Sequence, residues 1–349
     1  MNKFIGEIMD QPDSLAATLD FYCTDIGEKK LKKIQQIVLN GDIREIIFAG
    51  MGSSYFTSYA GACLLNELGI RSQAINASEL LYYHFSLLNN NTLLTLISQS
   101  GESFEVVKLI EKVSSDIKVI GISNEDGSSL TKRAAEVLLS RAGREESTST
   151  KTYTSMMLAM FILGWYLSGH WNSHKVTAVK KLVTDIREFL KHYESDINEL
   201  MDFLGELEFI QFIGRGPSFA TAQQSELMFK EAARLAASAT LGGEFRHGPM
   251  EMINSNFKCV VFAAGETYQQ SVRMARDIAR YGGKVVLITN RKLSTDEKNV
   301  KVIQMDQSNE YLFTIQSIVP MQLLVNHLAI SKGVVPGVFV NGSKITLTE

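Results

Sequence analysis

Cysteine is scarce in this chain of 349 residues: there are three, Cys23, Cys63 and Cys259, each far from the others. An odd count at such spacing argues against a disulfide framework and fits a reducing compartment. A surplus of positive charge is also missing. Lys and Arg number 35 against 38 Asp and Glu, a net charge of −3. That balance argues against nucleic acid or an anionic membrane as partner. The one basic cluster, Lys29-Lys30-Leu31-Lys32-Lys33, reads as a solvated helix face. Long apolar runs are lacking as well. The longest, Met156 to Leu167, is interrupted by Gly164, is too short to span a bilayer and suits a buried helix. The opening residues, MNKFIGEIMDQPDSL, lack the apolar core of a signal peptide, so a cytoplasmic location is expected. HExxH, CxxC and Walker A patterns do not occur. His170 and His174 have the spacing of a helical metal pair but no third ligand beside them, so neither metal nor cofactor is expected.

What is present begins with Ser98-Gln99-Ser100-Gly101-Glu102-Ser103. It follows Leu93-Leu94-Thr95-Leu96-Ile97, an apolar run that reads as a buried parallel strand, and precedes a helix-period stretch from Phe104 to Val113. Hydroxyls and backbone N–H groups at a strand end and a helix start suit a phosphate, because the amides and the positive end of the helix dipole face the anion.

The chain also repeats itself. Gly50 and Gly52, in Ile46 to Ser54, recur as Gly214 and Gly216, in Ile210 to Ser218, 164 residues on. Gly101-Glu102-Ser103 recurs as Gly265-Glu266-Thr267 at the same offset, and Lys118–Asn124 as Lys284–Asn290 at an offset of 166. Four matches in order indicate a duplication of one α/β unit. Strand-like runs alternating with helical ones predict parallel sheets covered by helices on both faces, with ligands at the carboxyl ends of the strands. The expected organisation is a helical segment at 1–38, a first domain at 39–170, a helical linker at 171–200, a second domain at 201–330 and a tail at 331–349. In the second copy Ala263-Ala264 replaces the serines before Gly265, which implies one phosphate site per chain, in the first copy.

Other candidates each admit two readings. Gly50-Met51-Gly52-Ser53-Ser54 is either a glycine-tightened turn with serine caps or a ligand loop. A dinucleotide fingerprint would need a third glycine where Tyr55 stands. Ser147 to Thr152 either caps the following helix or closes over the phosphate. Glu231 lies on a helix pattern among alanines and apolar residues; it is a solvated glutamate or a base. His247, in Gly242 to Pro249, sits in an expected loop and is incidental or a proton carrier.

Together these residues resemble the sugar isomerase (SIS) family, most closely the isomerase half of glucosamine-6-phosphate synthase. The resemblance runs over nearly the whole chain: Glu7 to Pro12, Gly52-Ser53-Ser54-Tyr55, Ser98 to Ser103, Ser149-Thr150-Lys151, Lys230-Glu231, Gly243 to Pro249 and Ser343 to Glu349. It implies two tandem doubly wound, flavodoxin-like SIS domains. It further implies that Ser53, Ser98, Ser100 and Ser103 hold a sugar phosphate, with Gly52, Ser54, Gln99 and Ser149 lining the sugar site. Glu231 would move a proton between C1 and C2 through an enediol-like intermediate. His247 would open the sugar ring from the neighbouring subunit of a homodimer, and Lys344 on the tail would engage the open-chain carbonyl.

Two departures shape the expectation. Residue 2 is Asn, where the synthase's glutaminase domain would carry a nucleophilic cysteine, so glutamine-dependent synthesis is not expected. Met228 stands where the synthase has a lysine one turn before the base. The expected activity is isomerisation or deamination of an amino-sugar hexose 6-phosphate, of glucosamine-6-phosphate deaminase or fructosamine-6-phosphate deglycase type. The contrasting reading is a non-catalytic sugar-phosphate sensor. Keeping Glu231, His247 and Lys344 together speaks against it, because binding alone needs only the serines.

Overall fold

The fold is that of a computed structural model, which describes residues 2–307 and 309–348. Met1, Ser308 and Glu349, the last residue of the terminal motif, lie outside the described residues. The chain forms two compact units. The first comprises Asp10–Val183 and Val340–Glu349, the second Met1–Met9 and Thr184–Phe339.

The first unit is built on β1 (Glu45–Gly50), β2 (Ser72–Asn76), β3 (Thr92–Ile97), β4 (Lys118–Ser123) and β5 (Glu136–Leu139). These strands are all parallel, in the order β2-β1-β3-β4-β5. The central strands are apolar on both faces because helices cover both. Ile47, Phe48, Ala49, Leu93, Leu94, Leu96 and Ile97 are fully buried. Burying such a side chain contributes roughly 1.5–3 kcal/mol, which fixes the register Ala49 opposite Leu96. The helix Lys151–Leu167 has almost no polar face, and it packs between the helices Gln11–Tyr22 and Ser53–Glu67.

The second unit repeats the plan with β6 (Phe209–Gly214), β7 (Ala236–Leu241), β8 (Lys258–Ala263), β9 (Lys284–Thr289) and β10 (Val300–Gln304). Its order, β10-β9-β8-β6-β7, is the same one read from the other edge. The duplication seen as glycine spacing is therefore a duplication of topology, and both sheets have the doubly wound, flavodoxin-like order. The helical run Glu310–Ser331 has the length and mean hydropathy, 1.3, of a membrane span. Within this unit 89% of its apolar window is buried, and it packs against the helix Ser218–Ala233, so its composition is that of a core element.

Two expectations change here. Lys30 and Lys33, on the helix Asp25–Asn40, are not simply solvated: their Nζ atoms lie 2.5 and 3.3 Å from the buried Glu136 carboxylate at the start of β5. His170 lies past the end of the Lys151–Leu167 helix, while His174 lies in the next helix, so they do not share one helix face.

Candidate functional site

In a sheet of this order the loops after β1 and β3 leave in opposite directions, opening a crevice at the carboxyl edge. Both serine motifs lie at that switch point. Ser53 and Ser54 begin the helix Ser53–Glu67 directly after β1, and its cap, Gly52, has no side chain to satisfy the first amides. Ser98 to Ser103 join β3 to the helix Phe104–Lys112. The end of β1 is tightly enclosed: a Cβ added at Gly50 would lie 2.8 Å from both Ile97 O and Ser54 Cβ.

The Ser98–Ser103 loop is internally braced. Gly101 N–H donates to Ser98 Oγ at 3.0 Å and Glu102 N–H to Ser100 Oγ at 3.1 Å, while the Ser98 and Ser103 hydroxyls lie 3.2 Å apart. Ser103 is the helix cap yet makes no side-chain cap bond, which leaves its hydroxyl turned to Ser98. Below the loop, Asn124 N–H and Ser123 Oγ donate to Gln99 O at 3.0 and 3.2 Å. Gly101 has φ +67, and a Cβ there would fall 2.1 Å from Ser128 Oγ. Glu102 accepts from Ser129 N–H at 2.7 Å, and that bond holds its carboxyl below the usual carboxylate range. Hydroxyls and amides thus converge on a loop that cannot easily deform.

The tail reaches the same edge. Thr346 O accepts from Phe104 N–H at 3.0 Å, at the start of the helix behind the loop. Lys344 Nζ pairs with Glu145 Oε2 at 2.7 Å and donates to Ser147 O at 2.5 Å. A cavity of about 630 Å³ is lined by Gln99, Ser100, Asn124, Arg141, Glu145 and Lys344, among others. Lys344 and two residues of the proposed phosphate loop therefore face one space.

Sequence reasoning missed Glu145. Its side chain is fully buried. Oε1 accepts from Thr150 N–H, Thr150 Oγ1 and Thr152 N–H at 2.9–3.1 Å, and Oε2 accepts from Thr152 Oγ1 at 2.5 Å. The cap of the helix Lys151–Leu167 is thus this upstream carboxylate, while Thr150 at the cap position makes no side-chain cap bond. A negative charge at a helix start is favourable, and here it also anchors Lys344. The available signal was an acid just before a hydroxyl-rich helix start. Ser149 lies between, half-buried.

The second unit carries the remaining candidates. Glu231 is half-buried on the helix Ser218–Ala233, and Met228, one turn earlier, is fully buried. The expected loop around His247 is more ordered than a loop: Gly242–Phe245 forms one helical turn, pinned by the fully buried Phe245. His247 is exposed, with its N–H donating to Glu244 O at 2.9 Å. The second copy keeps positive φ at Gly216 and Gly265, +52 and +60, matching +50 at Gly52 and +67 at Gly101. Where a Cβ on Gly265 would stand, Glu310 Oε2 lies 1.8 Å away. An internal carboxylate thus occupies the space beside that loop.

A model of the SIS domain matches residues 42–164 and 208–332. The chain belongs to the SIS domain family. The two matched SIS segments contain the two sheets. Among curated relatives, the glutamine–fructose-6-phosphate aminotransferase [isomerizing] of Pyrococcus horikoshii is 30% identical over 94% of this chain and 55% of its own length. The enzyme of that name from Methanothermobacter thermautotrophicus is 28% identical over 99% and 57%. The chain spans about half the length of these relatives. In fold, it resembles the C-terminal domain of glucosamine-fructose-6-phosphate aminotransferase from Francisella tularensis, with TM-score 0.83, 22% identity and coverage of 95% of this chain and 96% of that one. It also resembles glucosamine-6-phosphate deaminase from Thermotoga maritima, with TM-score 0.78, 24% identity and coverage of 98% and 99%.

Proposed function

We propose that this SIS protein is an enzyme acting on an amino-sugar hexose 6-phosphate, by aldose–ketose isomerisation, deamination or both. The observation that carries the reading is the convergence of Lys344 with Gln99 and Ser100 on one cavity beside the braced Ser98–Ser103 loop. Ser53, Ser98, Ser100 and Ser103 hold the phosphate; Gly52, Ser54, Gln99 and Ser149 border the sugar. The first domain, residues 39–170, supplies these groups, and the tail from 331 closes over them. Lys344, oriented by Glu145, donates to the carbonyl oxygen of the open-chain sugar. Residues 201–330 supply Glu231 as base, and His247 acts from the partner subunit of a homodimer to open the ring. The chemistry is one proton movement with two outcomes. On glucosamine 6-phosphate, removing the C2 proton gives an enolamine. Returning a proton to C1 gives a ketimine, which water hydrolyses to ketose phosphate and ammonia. On an unaminated aldose phosphate the same movement passes through an enediol and yields the ketose.

The test is a panel of glucosamine 6-phosphate, fructosamine 6-phosphates and plain hexose 6-phosphates, followed for ammonia and for isomer. Turnover of an aminated substrate supports the proposal. Binding of these sugars with no turnover of any would replace it with a sugar-phosphate sensor.

A further inference from the structure

The second unit holds a cavity of about 630 Å³ that the proposed chemistry does not use. Arg215, Arg246, Arg273, Arg276 and Arg280 line it, with Gln270 and Asp277. This is a dense positive site in a chain whose net charge is −3. Its origin is local. Arg273, Arg276 and Arg280 are spaced three and four apart on the helix Tyr268–Arg280, so they share a face. Val272, Ala275, Ile278 and Ala279 bury the other face in the core. Arg215 leaves the loop after β6 and lies against Gly242, where a Cβ would come within 2.6 Å of its Nε. The absent side chain makes room for the guanidinium.

The acids here do not balance the arginines. Asp277 pairs with Arg246 at 2.7 Å and reaches Arg280 only at 3.9 Å, while Glu297 stands 3.7 Å from Arg276. Among the described residues neither Arg215 nor Arg273 has an ion pair, and Arg215 Nε is buried without a hydrogen-bond partner. Burial, and then the charge of Arg246, hold the Arg215 guanidinium below its ordinary pKa. An anion seated between these groups would satisfy the orphaned N–H and relieve the repulsion.

We propose that this cavity binds a compact, multiply charged phosphate anion carrying a pyrophosphoryl group. Planar guanidinium forks match phosphoryl oxygens two bonds at a time, and five of them exceed what one monophosphate engages. The chemistry is shared by free pyrophosphate and by a nucleoside diphosphate. Titration calorimetry of the full chain with pyrophosphate, ADP and orthophosphate, at about 150 mM salt to screen diffuse attraction, separates them. Pyrophosphate or ADP should bind, with the tighter of the two naming the source, and orthophosphate should bind more weakly. Arg273→Gln, an exposed change that leaves the core intact, should weaken binding about tenfold, the loss of one charge-assisted contact. Arg215→Gln should do the same. Lys301→Gln, which removes a positive charge elsewhere in the unit, should leave affinity unchanged. No binding of either diphosphate, or an equal loss for Lys301→Gln and Arg273→Gln, would overturn the proposal.

Discussion

Replacing Glu145 by Gln is the sharpest perturbation the fold offers. The amide keeps the shape and one carbonyl oxygen, so the three donors now serving Oε1 keep an acceptor. At Oε2 the change is harsh. Thr152 Oγ1 and Lys344 Nζ, both donors, would face an NH2 group. Each bond to a charged group contributes about 1.5–3 kcal/mol. Stranding one partner of a buried pair costs about 3–5 kcal/mol, but Lys344 is 19% exposed and on a tail, so it swings into water. The net expectation is a destabilisation of the first unit by about 2–4 kcal/mol, with the tail released. Lys344→Met should cost less, about 1–2 kcal/mol, because the carboxylate retains four donors and the helix start. Hydrogen exchange read by mass spectrometry isolates the effect, since Phe104 N–H is bonded to Thr346 O. Faster exchange at the start of the Phe104–Lys112 helix and a lowered urea midpoint are expected. Wild-type exchange and midpoint in Glu145→Gln would refute the idea that this carboxylate holds the tail.

Gly101→Ala forces a side chain into a φ of +67 and onto Ser128 Oγ, and should cost about 2 kcal/mol or more and weaken sugar-phosphate binding. Gly143→Ala, at φ +73 but in open space, should cost only about 1 kcal/mol in the same unfolding assay. Burial opposes ionisation of Glu136, but the Lys30 and Val137 hydrogen bonds prevail and lower its pKa. Its contribution is therefore complete above the unfolded carboxylate pKa and lost as pH falls through the folded one; Glu136→Gln should flatten the acid limb of stability against pH, and an unchanged limb would remove it as a cause. Glu231→Gln should abolish turnover while sugar-phosphate binding survives in calorimetry. Mixing Glu231→Gln with His247→Ala subunits should restore part of the activity, and no rescue after verified exchange would count against a shared site.

The strands read from sequence were those whose burial on both faces leaves an unbroken apolar run ending in glycine or a hydroxyl: β1, β3, β4, β6 and β9. Of the strands not read, β2, β5, β7 and β10 are short or half-polar, while β8 is as buried as those that were read but ends in Ala263, with neither a glycine nor a hydroxyl to mark it. Ser72–Asn76 and Val300–Gln304, at sheet edges, are mostly half-buried, so no apolar pattern marks them. The serine loops were legible because their chemistry and their place at strand ends coincide. Glu145 was not, because beside Arg144 and Glu146 it looks like part of a solvated charge run, and only the folded chain buries one of the two glutamates. The arginine cavity escaped for a related reason. Its members come from three separate segments, and helix spacing alone cannot distinguish a binding face from a wet one.

Each unit is completed by a segment from the far end of the chain. Residues 340–348 belong with the first sheet, and residues 2–9 with the second, where Asn2 Nδ2 donates to Asn326 Oδ1 at 3.0 Å and the helix Lys3–Met9 packs on the helix Val319–Ser331. During synthesis the first sheet is finished at β5, yet Lys344 arrives 199 residues after the Glu145 that receives it. The ribosome thus makes the Ser98–Ser103 loop long before the lysine, and until the tail docks Glu145 has its four donors from Thr150 and Thr152 but not its ion-pair partner. Cutting the gene between residues 183 and 184 would leave each half short of a piece encoded in the other.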